Sequence, residues 1–180
     1  GKTLGIISMG RIGKAVAQRA AGFDMRIVYY DIVRAPDVEN KYGASFVALD
    51  ELLQNADIVS IHAPLTEETR HMIGRRELAL MKKTSYLINT ARGPLVDEKA
   101  LVEALKTGDI AGAGLDVYED EPRLAPGLAE LPNVVLLPHL GSATLETRTK
   151  MAEMAATNVV AALEGRVPPN LVNPDAIVNI

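Results

Sequence analysis

Leu4-Gly-Ile-Ile-Ser8-Met-Gly10-Arg-Ile-Gly13 is the stretch on which the reading of this chain turns. Leu4–Ile7 predicts a strand, and Ile12, Ala15, Val16, Ala20 and Phe23 recur at helical spacing just beyond it, predicting one buried helix face. Strand, glycine-bearing turn and helix in that order form the context of the dinucleotide fingerprint G-x-G-x-x-G, with Ser8 standing where the first glycine belongs. Gly10 would let the backbone approach a pyrophosphate, whose charge then lies at the helix N-terminus, and Gly13 would let the helix pack closely on the sheet. Ser8 predicts a turn kept with a negative φ, or with modest strain, and a lowered dinucleotide affinity. A chance turn is the competing account of so degraded a motif. Gly10-Arg-Ile-Gly13-Lys14 is too short for a P-loop.

Working outward, further strands are expected at Arg26–Tyr30, Ser45–Val47, Ile58–Ile61, Tyr86–Asn89, Ala111–Leu115 and Val134–Leu137. Helical patterns lie between them. Leu101, Ala104 and Leu105 share a face, with Asp97 near the start and Gly108 as the stop. A last long helix, about Leu145 to Glu164, is expected to bury Met151, Met154, Ala155, Val159, Ala162 and Leu163. Strands alternating with helices predict right-handed crossovers and an α/β fold: a Rossmann-type doubly wound parallel sheet in three αβα layers. The nucleotide-binding domain is expected over residues 1–164. Arg166-Val-Pro-Pro-Asn170 and Asn173-Pro174 then stop the helix, leaving a tail, 165–180, that would pack on another domain.

Composition bounds the remaining classes. At 180 residues, 48% apolar and 23% charged, the chain is sized and balanced for one globular domain. It has no cysteine, which removes disulfides, thiolate metal sites and cysteine nucleophiles together and fits a reducing compartment such as the cytoplasm. No metal site is expected. A net charge of −4 argues against general binding to nucleic acid or anionic membranes. No apolar run approaches the ~20 residues that span a bilayer. Because the chain begins at Gly1 without a signal-peptide pattern, it is expected to be an internal piece of a longer protein.

Asp31 strengthens the nucleotide reading. It ends the second expected strand, eighteen residues beyond Gly13, near the ~20 expected of the acidic residue that binds ribose hydroxyls. Its charge would repel a 2′-phosphate, so NAD is favoured, while Arg34 keeps NADP open; a turn or helix-start role is the plainer account. Arg92, Glu121 and His139 each follow an expected strand, and ligands of open parallel sheets bind at the strands' carboxyl ends. Their chemistry suits reduction of a 2-oxo acid. Hydride delivery to a carbonyl builds negative charge on oxygen, which calls for a cation and a proton donor. Arg92 would hold the carboxylate in its fork and polarise the carbonyl, His139 would give the proton, and Glu121 would favour the imidazolium. Taken singly, a loop arginine is usually a surface charge and a histidine after proline usually structural.

On Gly10-Arg-Ile-Gly13, His62-Ala-Pro-Leu-Thr66, Asn89-Thr-Ala-Arg-Gly93, Gly112-Ala-Gly-Leu-Asp116-Val, Glu121-Pro122, Pro138-His139-Leu-Gly-Ser-Ala143 and Pro168-Pro-Asn-Leu-Val-Asn173, the sequence resembles the coenzyme domain of the D-isomer-specific 2-hydroxyacid dehydrogenases, most closely the glyoxylate/hydroxypyruvate reductase branch. The resemblance covers nearly the whole chain. It implies Arg92, Glu121 and His139 as catalytic arginine, glutamate and histidine, and Asp116 as the residue at the nicotinamide carboxamide. His62, Pro64 and Thr66 would pass the adenosine, mainly through their backbone. Ser8, Arg11, Ile12, Thr90, Ala91, Gly141 and Ser142 complete the expected coenzyme contacts. His71 is expected to be a solvated or interface residue without chemistry. The resemblance also implies a substrate domain that precedes Gly1, a small 2-oxo or 2-hydroxy acid substrate, and a homodimer formed through coenzyme domains, with Ile73–Met81 and Leu95–Leu105 as the interface or else core. The chain alone would bind coenzyme with little turnover. A non-catalytic dinucleotide-sensing scaffold, as in related corepressors, is the alternative.

Overall fold

The computed structural model describes residues 1–177, and side chains as far as Asp175. Seven parallel strands form one sheet: β1 Thr3–Ile7, β2 Arg26–Tyr30, β3 Ser45–Phe46, β4 Ile58–Ile61, β5 Tyr86–Asn89, β6 Gly112–Leu115 and β7 Val134–Leu136. Their spatial order is β3-β2-β1-β4-β5-β6-β7, so the chain reverses its direction of travel between β1 and β4. This is the expected doubly wound sheet. Helices α1 Arg11–Ala21, α2 Pro36–Tyr42, α3 Leu49–Asn55, α4 Arg75–Leu80 and α5 Glu98–Thr107 connect the strands.

Period-two alternation along β1 explains the layers. Leu4 and Ile6 pack with Ala17, Ala20, Ile27, Tyr29 and Val38 under α1 and α2. Ile7 joins Leu52, Val59, Leu78, Leu87, Leu101 and Leu105 under α3, α4 and α5. Asp97 caps α5, its side chain accepting from the Ala100 N–H at 3.0 Å, and Gly108 ends that helix in the left-handed conformation, both as expected.

The residues divide into two compact units, Gly1–His139 and Leu140–Ile180. The second contains α6, Leu145–Leu163, begun by Thr144, whose side chain accepts from the Thr147 N–H at 3.2 Å. After the helix the tail returns on it: the Asn158 side-chain amide donates to the Asn170 side-chain oxygen at 3.1 Å, and the Asn170 N–H donates to Asn158 at 3.0 Å. The last three residues of the expected 165–180 tail lie outside the described residues.

Two expectations need correction. The α1 face is buried through Gly13, Ala17 and Ala20, whereas Ile12 is 62% and Phe23 76% exposed. The start of the helix lies too close to the Ser8 turn for a side chain at Gly13, and Phe23 lies past the helix end. None of the six residues expected to be buried on α6 is; only Ala161 is buried there. Periodicity finds an apolar stripe, but a unit holding one long helix has no second layer to cover it. Of the two alternatives given for Ile73–Met81 and Leu95–Leu105, the structure shows core packing for Ile73, Leu78, Met81, Leu95, Val96, Leu101 and Leu105.

Candidate active site

A cleft of about 700 Å3 opens at the carboxyl ends of β1, β4 and β5, lined by Ser8, Gly10, Arg11, Ile12, His62, Ala63, Pro64, Leu65, Thr90, Ala91 and Arg92. Its volume suits a small-molecule ligand, and it straddles the β1–β4 switch point, where open α/β sheets bind ligands. Nine of its eleven lining residues are among those expected from sequence; Ala63 and Leu65 are the two that were missed. They stand beside expected positions and carry no chemical signal of their own.

The turn that floors the cleft departs from one of the two outcomes predicted for it. Ser8 adopts φ 74°, in the left-handed region, so the negative-φ option is excluded and the strained one obtains. Asp31 holds this turn down. Its Oδ2 accepts the Met9 N–H at 2.6 Å and the Ser8 hydroxyl at 3.2 Å, while Oδ1 accepts the Ile32 N–H at 2.6 Å. Gly13 has no room for a side chain, since a Cβ there would lie 2.2 Å from the Ser8 carbonyl oxygen. This is the close helix–turn approach that a dinucleotide loop requires, so the residues present fit the coenzyme that the motif implies.

On the opposite wall, Asn89 shapes the turn before Arg92. Its side chain accepts the Ala91 N–H at 3.1 Å and donates to the Arg92 carbonyl at 2.9 Å, leaving the Arg92 side chain exposed. Burial pushes the His62 imidazole below its ordinary value, so near neutrality it is uncharged; its Nε2 lies 3.0 Å from the Ser60 hydroxyl.

Glu121 and His139 line a second cavity, of about 370 Å3, with Tyr118 and Leu137. His139 Nδ1 is 3.0 Å from Glu121 Oε2. His139, the Tyr118 N–H and the charge of Arg92 together hold the Glu121 carboxyl below the usual range, so it is ionised at neutral pH. An ionised acceptor makes Nδ1 the donor and directs Nε2 away from it. His139 itself has φ 55°, a strained backbone of the kind concentrated at functional sites.

The other expected residues divide. Asp116 is buried behind the end of β6, its N–H donating to the Asn89 carbonyl at 3.0 Å. Thr66 binds Thr69 rather than lining the cleft. Gly141 and Ser142 fall in the second unit. His71, expected to be a solvated or interface residue, meets Glu119 at 2.6 Å. That pair spans 48 positions in sequence, and no local pattern announces it.

Comparison with known proteins agrees with this geometry. Residues 1–141 match the model of the D-isomer specific 2-hydroxyacid dehydrogenase, NAD binding domain. A glyoxylate reductase of Korarchaeum cryptofilum is 57% identical over 179 residues, a match covering 98% of this chain and 54% of that protein. Among solved structures, the TT0316 protein from Thermus thermophilus superposes with a TM-score of 0.87 at 53% identity, over 96% of this chain and 54% of that one. A D-lactate dehydrogenase from Aquifex aeolicus, complexed with NAD and lactic acid, superposes with a TM-score of 0.84 at 38% identity, over 91% and 54%. The chain thus spans about half the length of the relatives it matches. Its sheet order, its glycine turn and the family match together identify it as a member of the D-isomer specific 2-hydroxyacid dehydrogenase family, in which it corresponds to the NAD-binding domain.

Proposed function

We propose that this chain is the coenzyme-binding part of a reductase that converts a small 2-oxo acid, glyoxylate or hydroxypyruvate, to the D-2-hydroxy acid. The observation that carries the proposal is the placement of Arg92, Glu121 and His139 after β5, β6 and β7, with the Glu121–His139 contact already made at 3.0 Å. When bound, the nicotinamide coenzyme supplies the hydride. Arg92 holds the substrate carboxylate and draws charge toward the carbonyl oxygen. His139 holds a proton on Nε2 and releases it to that oxygen, while Glu121 fixes the ring through Nδ1. Ser8, Gly10, Gly13 and the N-terminus of α1 receive the pyrophosphate, Asp31 takes ribose hydroxyls, and Asp116 serves the carboxamide.

NAD is the coenzyme this reading favours over NADP. Asp31 presents a carboxylate at the end of β2, and Arg34 already spends its guanidinium on Glu39, through Nε at 3.1 Å and Nη2 at 2.5 Å. A homodimer and a cytoplasmic setting complete the proposal. The domain boundary near residue 164 is proposed on the same footing. Among the described residues no helix is long and apolar enough to cross a membrane.

Calorimetric titration with NADH and NADPH, followed by an assay of glyoxylate reduction, tests the reading. Binding with NADH preferred, and at most slow turnover by the 180 residues alone, is expected. Absence of binding refutes the coenzyme role, and full reductase rates from this chain refute its dependence on a further domain. His139→Gln removes any turnover while sparing NADH binding; turnover unaffected by that change assigns the proton to another group.

A further inference from the structure

Three loops carry Arg92, Glu121 and His139, and one residue that none of the expected roles included touches all three. Tyr118 follows β6 and is 8% exposed. Its main-chain N–H donates to Glu121 Oε1 at 3.0 Å, so the carboxylate is gripped at one oxygen by Tyr118 and at the other by His139. Its phenolic hydroxyl donates to the Leu137 carbonyl at 2.7 Å, two residues before His139. Its peptide is also the floor on which the Arg92 loop rests. A Cβ on Gly93 would lie 1.9 Å from the Tyr118 carbonyl carbon and oxygen, so only glycine allows that approach.

The hydroxyl needs a reason, because a phenylalanine ring would fill the same core space. β7 is the edge strand and its ladder with β6 ends at Leu136. Beyond it the chain is tied back by the Leu137 N–H to the Leu115 carbonyl at 2.9 Å and by the Tyr118 hydroxyl. His139 then takes its strained φ of 55°, which persists only where surrounding contacts over-determine it. Burial, the largest influence on the phenol, pushes its ionisation upward, so the group remains an O–H donor through neutral pH.

We propose that Tyr118 is the positioning residue of this site: its N–H orients Glu121, its hydroxyl fixes the chain end that bears His139, and its peptide seats the Arg92 loop. The inference rests on the reading of those three residues as the reacting groups. It concerns geometry that exists before any ligand binds.

The test is a carboxyl-carbon NMR titration of Glu121 in this chain, without coenzyme or substrate, in the parent, Tyr118→Phe and His139→Gln. The phenylalanine variant keeps the ring and the N–H and loses only the hydroxyl. The Glu121 titration is expected to move up from its lowered position toward that of His139→Gln, as the imidazole drifts from the carboxylate. An unmoved titration in a folded Tyr118→Phe chain overturns the proposal. So does an equal movement in Leu101→Val, a core change that weakens packing elsewhere. If Tyr118→Phe does not fold, the parent decides. A slowly exchanging Tyr118 hydroxyl proton, with cross-relaxation to Leu137 and Pro138, supports the role, and rapid exchange refutes it. Because no turnover enters the measurement, its failure leaves the reductase assay to stand or fall separately.

Discussion

Replacing Ser8 by glycine separates what the first motif position costs the fold from what it costs the ligand. At φ 74° an L-residue lies about 1 kcal/mol above glycine, and Ser8→Gly relieves that strain. Against this stand the extra chain entropy of glycine in the unfolded state, about 0.4–1 kcal/mol, and the loss of the 3.2 Å hydroxyl contact with Asp31, about 1 kcal/mol for a long, part-exposed bond to a carboxylate. The terms nearly offset, and the urea midpoint is expected to correspond to a stability within about 1 kcal/mol of the parent. Binding has no such offset. Asp31 Oδ2 accepts both the Met9 N–H and the Ser8 hydroxyl, so removing the hydroxyl frees one acceptor position on the carboxylate for a ribose hydroxyl. Freeing that position is worth about 1 kcal/mol, or roughly fivefold in Kd for NADH by titration calorimetry. Ser8→Ala keeps the strained φ and removes the hydroxyl, so it should recover most of the same gain. Unchanged or weaker NADH binding in Ser8→Gly refutes the reasoning, and a gain in glycine but not alanine moves the cause from the hydroxyl to the backbone.

Gly13→Ala places a methyl 2.2 Å from the Ser8 carbonyl oxygen, so the turn must shift; NADH binding by calorimetry should weaken at least about tenfold, with stability lowered by about 1–3 kcal/mol. Asp97→Ala removes the α5 cap and should cost about 1 kcal/mol, lowering the thermal midpoint by about 2–4 °C while leaving coenzyme binding intact. Glu98 is buried in α5, and burial, with the Glu119 and Asp120 charges adding, raises its pKa. The folded chain therefore holds this proton more tightly than the unfolded one. The associated stability is fully present below the unfolded carboxylate value of about 4.3 and is lost as pH rises through the raised folded value. Glu98→Gln removes that loss, so urea unfolding should show the variant gaining on the parent as pH rises through this window; a flat difference refutes the assignment.

The sheet was legible because its strands are short apolar runs between strong punctuation. Leu4–Ile7 and Ile58–Ile61 are mostly buried, isoleucine-rich runs, and Asp97 and Gly108 bracket α5 with cap residues whose local chemistry is nearly independent of context. The cleft was legible for a related reason. A glycine turn after β1 and polar residues just past β4 and β5 occupy positions that a doubly wound sheet brings together. What failed was burial. The stripe of Met151, Met154, Val159 and Leu163 has helical period, yet all four are exposed, because period reports which side chains share a face and not whether anything packs on it. For Ile73–Met81 and Leu95–Leu105 the sequence left interface and core open, and the α3, α4 and α5 layer takes their large apolar residues into the core.

By itself, then, the sequence determined the order and type of elements, the dinucleotide turn and the residue types capable of oxo-acid reduction. These depend on interactions within a few positions along the chain: periodicity, caps and the steric demands of glycine. Only the tertiary structure decided that Ser8 takes a left-handed φ under the hold of Asp31, that Glu121 meets His139 at 3.0 Å, and that Tyr118 ties both to the Arg92 loop. Apart from the Tyr118 N–H on Glu121, which spans three positions, each of those contacts joins segments from different strand ends. Their geometry follows from how the crossovers stack on the sheet, a long-range property that no local pattern encodes.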